Sequence, residues 1–323
     1  MTILEVNHLS VNYLKDDGTP LKAVQDVCFK LEQGRSLGLV GESGCGKTTV
    51  ILSLLRLLPE AGRIVDGQVL LNGHDLLRIS ESDMNKVRWK QISMVFQGAM
   101  NALNPVRTVE SQIVEVINVH NSEASHNDSK KRACELLEMV GIPAERGKQY
   151  PHQYSGGMKQ RAVIAMALAC KPSILIADEP TTALDVMIQA QIIRLLQNLQ
   201  RDLDLTLILV THDLGVVAEI CDDVLVMYGG MTAEYASSDS IFNCSKHPYT
   251  QRLLKAFPDI EKPGAELVWI PGSPPRLDAL PTGCRFQPRC HLAEEICRNE
   301  TPVLTFNPPD HGFACHVMQR RAE

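Results

Sequence analysis

The chain has 323 residues, 44% apolar and 22% charged, with a formal net charge of −6, which suits a globular protein of one large domain or a domain plus an appendage and gives no reason to expect nucleic acid as a partner. No apolar run reaches the roughly 18–20 residues that a membrane-spanning helix needs, and the start, MTILEVNHLS, lacks the basic and apolar blocks of a secretion signal. These features predict a cytoplasmic protein, where ten cysteines do not read as a disulfide framework. Cys28, Cys45, Cys134, Cys170, Cys221 and Cys244 are scattered and read as small core or surface residues, whereas Cys284, Cys290, Cys297 and Cys315 crowd together near the end.

Residues 3–31 alternate with strand periodicity: Leu9, Val11 and Tyr13 share one face, and Val27, Phe29 and Leu31 another. The turn-rich Asp16–Pro20 between them predicts an antiparallel hairpin. A short buried strand, Ser36–Val40, runs into glycines and then a helix carrying Val50, Ile51, Leu54, Leu55 and Leu58. Residues 107–170 are mostly helical in pattern, with a polar gap over Asn121–Lys130. Buried strands follow at Ile174–Ala177 and Leu205–Val210, so strands alternate with helices and predict a mainly parallel sheet covered on both faces. From about Ser240 prolines recur, at 248, 258, 263, 271, 274, 275, 281 and 288, and periodicity fades, which reads as an extension held by something other than a large apolar core.

Three motifs carry chemistry. Gly41–Thr49, GESGCGKTT, fits the P-loop pattern in its strand–loop–helix context. Its glycines, Gly41, Gly44 and Gly46, with Ser43, Cys45 and Thr49, turn backbone N–H groups toward phosphate oxygens; Lys47 adds a charge for the β- and γ-phosphates, and Thr48 a hydroxyl for Mg²⁺. Ser173–Pro180, SILIADEP, is an apolar strand ending in two carboxylates: Asp178 reads as a holder of Mg²⁺, and Glu179 as the base that polarises the attacking water. Tyr154–Arg161, YSGGMKQR, resembles the ABC signature sequence, usually LSGGQ, with Tyr for Leu and Met158 for Gln.

The neighbours extend that resemblance to ABC ATPases over about residues 1–240. Gln97 in SMVFQ matches the Q-loop, which implies a Mg²⁺ contact; Asp185 ending TTALD matches the D-loop; His212 in LVTHDL matches the switch histidine; Tyr13 matches the aromatic that stacks on adenine. The resemblance implies a RecA-like α/β core with an antiparallel β subdomain and a helical subdomain at about 98–170. It also implies head-to-tail pairing with a second ABC ATPase, homologous or identical, so that Ser155, Gly156, Gly157 and Asp185 of one subunit meet ATP held by the other.

A narrower resemblance lies in the 241–323 extension. Ser245–Pro258 (SKHPYTQRLLKAFP), Ile270–Leu277 and Pro281–Cys290, with FQGAMNALNPV after the Q-loop and ALDVMIQAQI after the second carboxylate, are similar to ATPases of dipeptide, oligopeptide and nickel importers. This implies a peripheral subunit at the cytoplasmic membrane face, two permease subunits, and an extracytoplasmic binding protein acting indirectly. Short peptides are the implied cargo; nickel chelates, glutathione and oligosaccharides are alternatives, and a soluble non-transport ABC ATPase is the reading from another class. The spacing Cys284-x5-Cys290-x6-Cys297-x17-Cys315 lacks the close pairs usual in structural zinc sites. The resemblance implies a 4Fe–4S cluster on these four, with Zn²⁺ or four free thiols as alternatives. His291, His311 and His316 read as solvent-facing or supporting groups rather than ligands.

Overall fold

The structure is a computed structural model and describes residues 1–98, 102–121, 123, 125–256 and 269–322. Parts of the FQGAMNALNPV stretch, of the Asn121–Lys130 gap and of the segment ending at Pro258 lie outside these residues, as does Pro263. Two units emerge, one from residues 1–78 and 210–323, the other from 79–209. This division differs from a boundary near 240: the extension belongs to the same unit as the P-loop.

In the first unit, β1 (Thr2–Leu14) and β2 (Pro20–Glu32) form the predicted hairpin. They join β4 (Gly62–Leu71) and β5 (His74–Asp75) in an antiparallel sheet of order β2-β1-β4-β5. The alternation works as read: Leu9, Val11, Val27, Phe29 and Leu31 are buried. β3 (Ser36–Val40) is buried along its whole length and pairs parallel with β9 (Asp223–Tyr228). Then β10 (Met231–Ser237) runs antiparallel to β9, and β12 (Gly312–Phe313) antiparallel to β10 with β11 (Thr305–Phe306) outside it. The expectation of a mainly parallel sheet therefore changes to a mixed one, because two strands of the extension and the β9–β10 hairpin add antiparallel edges. Helices α1 (Lys47–Leu54), α7 (Leu214–Ile220), α8 (Ser238–Cys244), α9 (Pro248–Lys255), α10 (Glu295–Asn299) and α11 (His316–Ala322) complete the unit.

The second unit holds β6 (Ile92–Val95) and β7 (Ile174–Asp178), paired parallel, with β8 (Thr206–Val210) beside β7. Around them are α2 (Glu81–Val87), α3 (Val109–His120), α4 (His126–Met139), α5 (Gly156–Ala167) and α6 (Val186–Leu203). The polar gap is shorter than the sequence suggests. Ser125 caps α4 by accepting from Asp128 N–H, so five of its polar residues, 126–130, are helical. Capping residues are polar by function, and at a helix start they look like loop. Among the described residues no helix is long and apolar enough to cross a membrane.

Candidate functional site

The P-loop links β3 to α1. Gly41 must be glycine: its φ is +147° and a Cβ would lie 2.2 Å from the carbonyl oxygen of Met227. Cys45 turns its side chain inward, where burial pushes the thiol pKa up, while its carbonyl accepts from Gly230 N–H at 2.9 Å. Ser43, Gly44 and Thr48 are exposed. Lys47 is buried, and its ammonium donates to the carbonyls of Gly41 (2.6 Å) and Glu42 (3.2 Å). Tyr13 comes to this loop from β1, its hydroxyl 3.2 Å from Thr49 Oγ1. His212 is exposed, between the end of β8 and α7, where Asp213 caps the helix by accepting from Gly215 and Val216 N–H.

In the second unit, β7 delivers Asp178 buried and Glu179 half-buried. Glu179 has φ +46°, a left-handed conformation that costs a non-glycine residue on the order of 1 kcal/mol. Its Oε2 accepts from Gln97 Nε2 at 2.8 Å and from Thr182 Oγ1 at 2.9 Å, so two residues 82 and 3 positions away hold one carboxylate. Gln97, assigned to Mg²⁺ by resemblance, thus places its amide nitrogen on the base; Thr182 had no individual signal beyond its place in the loop after Glu179. Within this unit, the buried carboxylate of Asp178 and the side-chain oxygen of Gln97 are of the kind that suits a hard cation such as Mg²⁺.

Ser155, exposed, is the N-cap of α5 and accepts from Met158 N–H at 3.3 Å. Gly156 opens the helix, and Gly157 is packed so that a Cβ would meet Ile188 Cγ2 at 2.8 Å. Tyr154 is accommodated in place of the usual Leu because its hydroxyl donates to the Arg146 carbonyl at 3.0 Å while the ring is buried. Asp185 caps α6, accepting from Ile188 N–H at 3.0 Å. Helix starts are suited to anions, since their first N–H groups have no partner within the helix.

In the extension, Cys284, Cys290, Cys297 and Cys315 line one small enclosed cavity, with His247, Phe286 and His316 also on its wall. All ten cysteines are free thiols. Burial, with the neighbouring thiols adding to it, pushes the Cys284 thiol up to about 12 and the Cys290 thiol up to about 11. A tetrahedral zinc site with Zn–S near 2.3 Å needs sulfurs about 3.8 Å apart. Among the described residues the one His/Cys/Asp/Glu group with ligand atoms all within 4.8 Å is His8, Asp26 and Cys28, so no three tail sulfurs approach zinc spacing. Four thiols lining one cavity fit an iron–sulfur cluster in donor type and number. His291 is exposed and accepts from Arg252 at its ring, and His316 bonds the Glu300 carbonyl. His311 departs from the solvent-facing expectation: it is buried and lies 2.6 Å from Glu234, which also accepts from the N–H groups of Lys246 and His247.

Comparison with known proteins identifies the family. Residues 24–182 match the ABC transporter family, and residues 233–297 match the oligopeptide/dipeptide transporter C-terminal region. The chain is 48% identical to an oligopeptide transport ATP-binding protein of Salmonella typhimurium, over 95% of this chain and 91% of that one. It is 46% identical to a dipeptide transport ATP-binding protein of Bacillus subtilis, over 99% and 96%. Among solved structures, it resembles the dimeric post-hydrolysis ATP-binding cassette MJ0796 bound to ADP and Pi, with TM-score 0.65 and 27% identity over 73% of this chain and 98% of that one.

Proposed function

This chain belongs to the ATP-binding proteins of oligopeptide and dipeptide ABC transporters, and on that premise we propose that it hydrolyses ATP to power import of short peptides through separate permease subunits. The observation that carries the catalytic part is the carboxylate of Glu179 held by both Gln97 and Thr182 at the end of a buried strand. A base must be held in position, and two donors to one carboxylate oxygen hold it there.

Individual roles follow from the chemistry of each side chain. The backbone of Gly41–Thr49 receives the phosphates, Lys47 supplies a charge to them, and Tyr13 offers its ring to the adenine of ATP. Thr48, Asp178 and Gln97 would hold Mg²⁺, which when bound neutralises phosphate charge. Glu179 takes the proton from the attacking water, and His212 serves as the switch histidine. Ser155, Gly156, Gly157 and Asp185 serve the nucleotide of a second ATPase subunit, homologous or identical; the exposure of Ser155 and Asp185 supports this. The assembled form is a peripheral subunit pair on the cytoplasmic side of two permeases, fed by an extracytoplasmic binding protein. Cys284, Cys290, Cys297 and Cys315 hold a 4Fe–4S cluster, with Zn²⁺ as the alternative; the cavity that all four line supports a shared metal site.

The test is ATP hydrolysis by the transporter assembled in vesicles. Peptide-loaded binding protein should stimulate it and peptide should accumulate inside. Hydrolysis that nickel chelates or oligosaccharides stimulate, with peptides inert, would replace the cargo; activity indifferent to permeases and binding protein would point to a non-transport ATPase.

A further inference from the structure

The extension is joined to the P-loop by side chains that the ATPase motifs do not include. Glu42, the second residue of the loop, is held at three points. Its carboxylate receives both arms of the Arg289 guanidinium, Nη1 at 2.6 Å and Nη2 at 3.0 Å. Its N–H donates to the hydroxyl of Tyr249 at 2.9 Å. Its carbonyl accepts from Lys47.

Arg289 is itself immobilised. Its side chain is 6% exposed and also donates to the carbonyls of Pro271 (2.7 Å), Ile270 and Gly272, and to the Tyr228 hydroxyl. Tyr249 is fully buried, its ring 4.6 Å from Tyr228 and 5.3 Å from Phe286. A second route runs through Arg285, which donates to the Gly229 carbonyl and to Gln25 Oε1 (2.6 Å); the next residue, Gly230, donates to the Cys45 carbonyl of the P-loop. The sequence order is Cys284, Arg285, Phe286, then Arg289, Cys290, so each arginine adjoins one of the clustered thiols.

We propose that Arg289 and Tyr249 are positioning residues for nucleotide binding, which hold Glu42 and so keep the P-loop backbone and Lys47 in the phosphate-binding arrangement. This rests on the reading of Gly41–Thr49 as the ATP site. The physical case is that phosphate recognition by a P-loop depends on several N–H groups aimed at one centre. A loop rich in glycine has many alternative conformations to lose. A two-armed contact from a buried guanidinium, a buried hydroxyl and the Lys47 ammonium restrict one residue at side chain, N–H and carbonyl together. The restraint acts before nucleotide arrives, so it should govern affinity more than turnover.

The test uses the full chain, MgADP binding by calorimetry, and the KM for MgATP in the assembled transporter. Tyr249→Phe preserves the ring packing and removes one acceptor; it should raise the MgADP Kd and the MgATP KM by about 3- to 10-fold, the worth of one neutral hydrogen bond, with kcat within about twofold. Arg289→Lys, which cannot reproduce the two-armed contact, should raise both by about 10-fold or more. Glu42→Gln combined with Arg289→Lys should cost less than the sum of the two single changes, because they remove the same contact. Thermal melting identifies variants that fail to fold. Wild-type Kd and KM in folded Tyr249→Phe and Arg289→Lys proteins would overturn the proposal, as would full additivity of the Glu42 and Arg289 changes. Lys47→Ala separates the two readings: if it binds MgADP as wild type does, the ATP-site reading fails; if it loses binding while the Tyr249 and Arg289 variants keep theirs, only the positioning role fails.

Discussion

Replacing Glu179 by Gln separates the chemistry of the base from its geometry. Glu179 Oε2 accepts from Gln97 and Thr182 at 2.8 and 2.9 Å. An amide oxygen can take both hydrogens, so the side chain keeps its place while losing the ability to accept a proton from water. A general base contributes about 10²- to 10⁴-fold, or about 2.7–5.5 kcal/mol of barrier at about 1.36 kcal/mol per tenfold. Gln97→Ala is the matching geometric change: it leaves the base and removes one hydrogen bond to a charged oxygen, about 1.5–3 kcal/mol. If that bond served orientation entirely, the loss would be about 10- to 160-fold, so over most of its range Glu179→Gln is the more damaging change. The assay is phosphate release by the assembled transporter at saturating MgATP, with nucleotide affinity measured alongside. Glu179→Gln should retain affinity within about threefold and accumulate a closed, ATP-loaded ATPase pair. Hydrolysis within about twofold of wild type would refute the assignment of the base.

Three other changes test separate parts of the structure. Gly41→Ala would force a Cβ to 2.2 Å from the Met227 carbonyl, so the loop must rearrange; calorimetry should find MgADP binding lost, and retained affinity would mean that the β9 end moves aside cheaply. His247 is held neutral in the fold, its pKa lowered from 6.5 to about 4 by burial, with the nearby Glu234 charge opposing the shift. The unfolded chain therefore binds more protons between these values: the stability is complete above pH 6.5 and is lost as pH falls toward about 4, with a ceiling of about 3 kcal/mol. His247→Asn can still cap α9 but cannot titrate, so its melting temperature should fall less between pH 7.5 and 5 than that of wild type; parallel curves would contradict the linkage. Anaerobically purified protein should be brown, with about four iron and four sulfide per chain, and Cys297→Ser should remove the colour; colourless protein with about one zinc would reverse the choice of metal.

The ATPase motifs were legible in the sequence because their chemistry is local. A loop that must wrap phosphate needs glycine at consecutive turning points, and a buried strand that must present a carboxylate ends in one, so Gly41–Thr49 and Asp178–Glu179 declare themselves over a few residues. The hairpin was readable for the same reason, from alternation along Thr2–Glu32. The HPYT and PTGCRFQPRC segments marked the extension as particular, and the four cysteines as a set, without indicating what they pack against. Packing alone decided the rest. Gln97 meets Glu179 across 82 positions, Glu42 meets Tyr249 across 207 and Arg289 across 247, and Glu234 meets His311 across 77. No periodicity or spacing encodes such pairs, since a glutamate or arginine looks alike in sequence whether it faces water or a buried partner. Burial makes the difference: removed from water, Arg289, Glu234 and His311 must find partners, and only the folded chain specifies which ones they find.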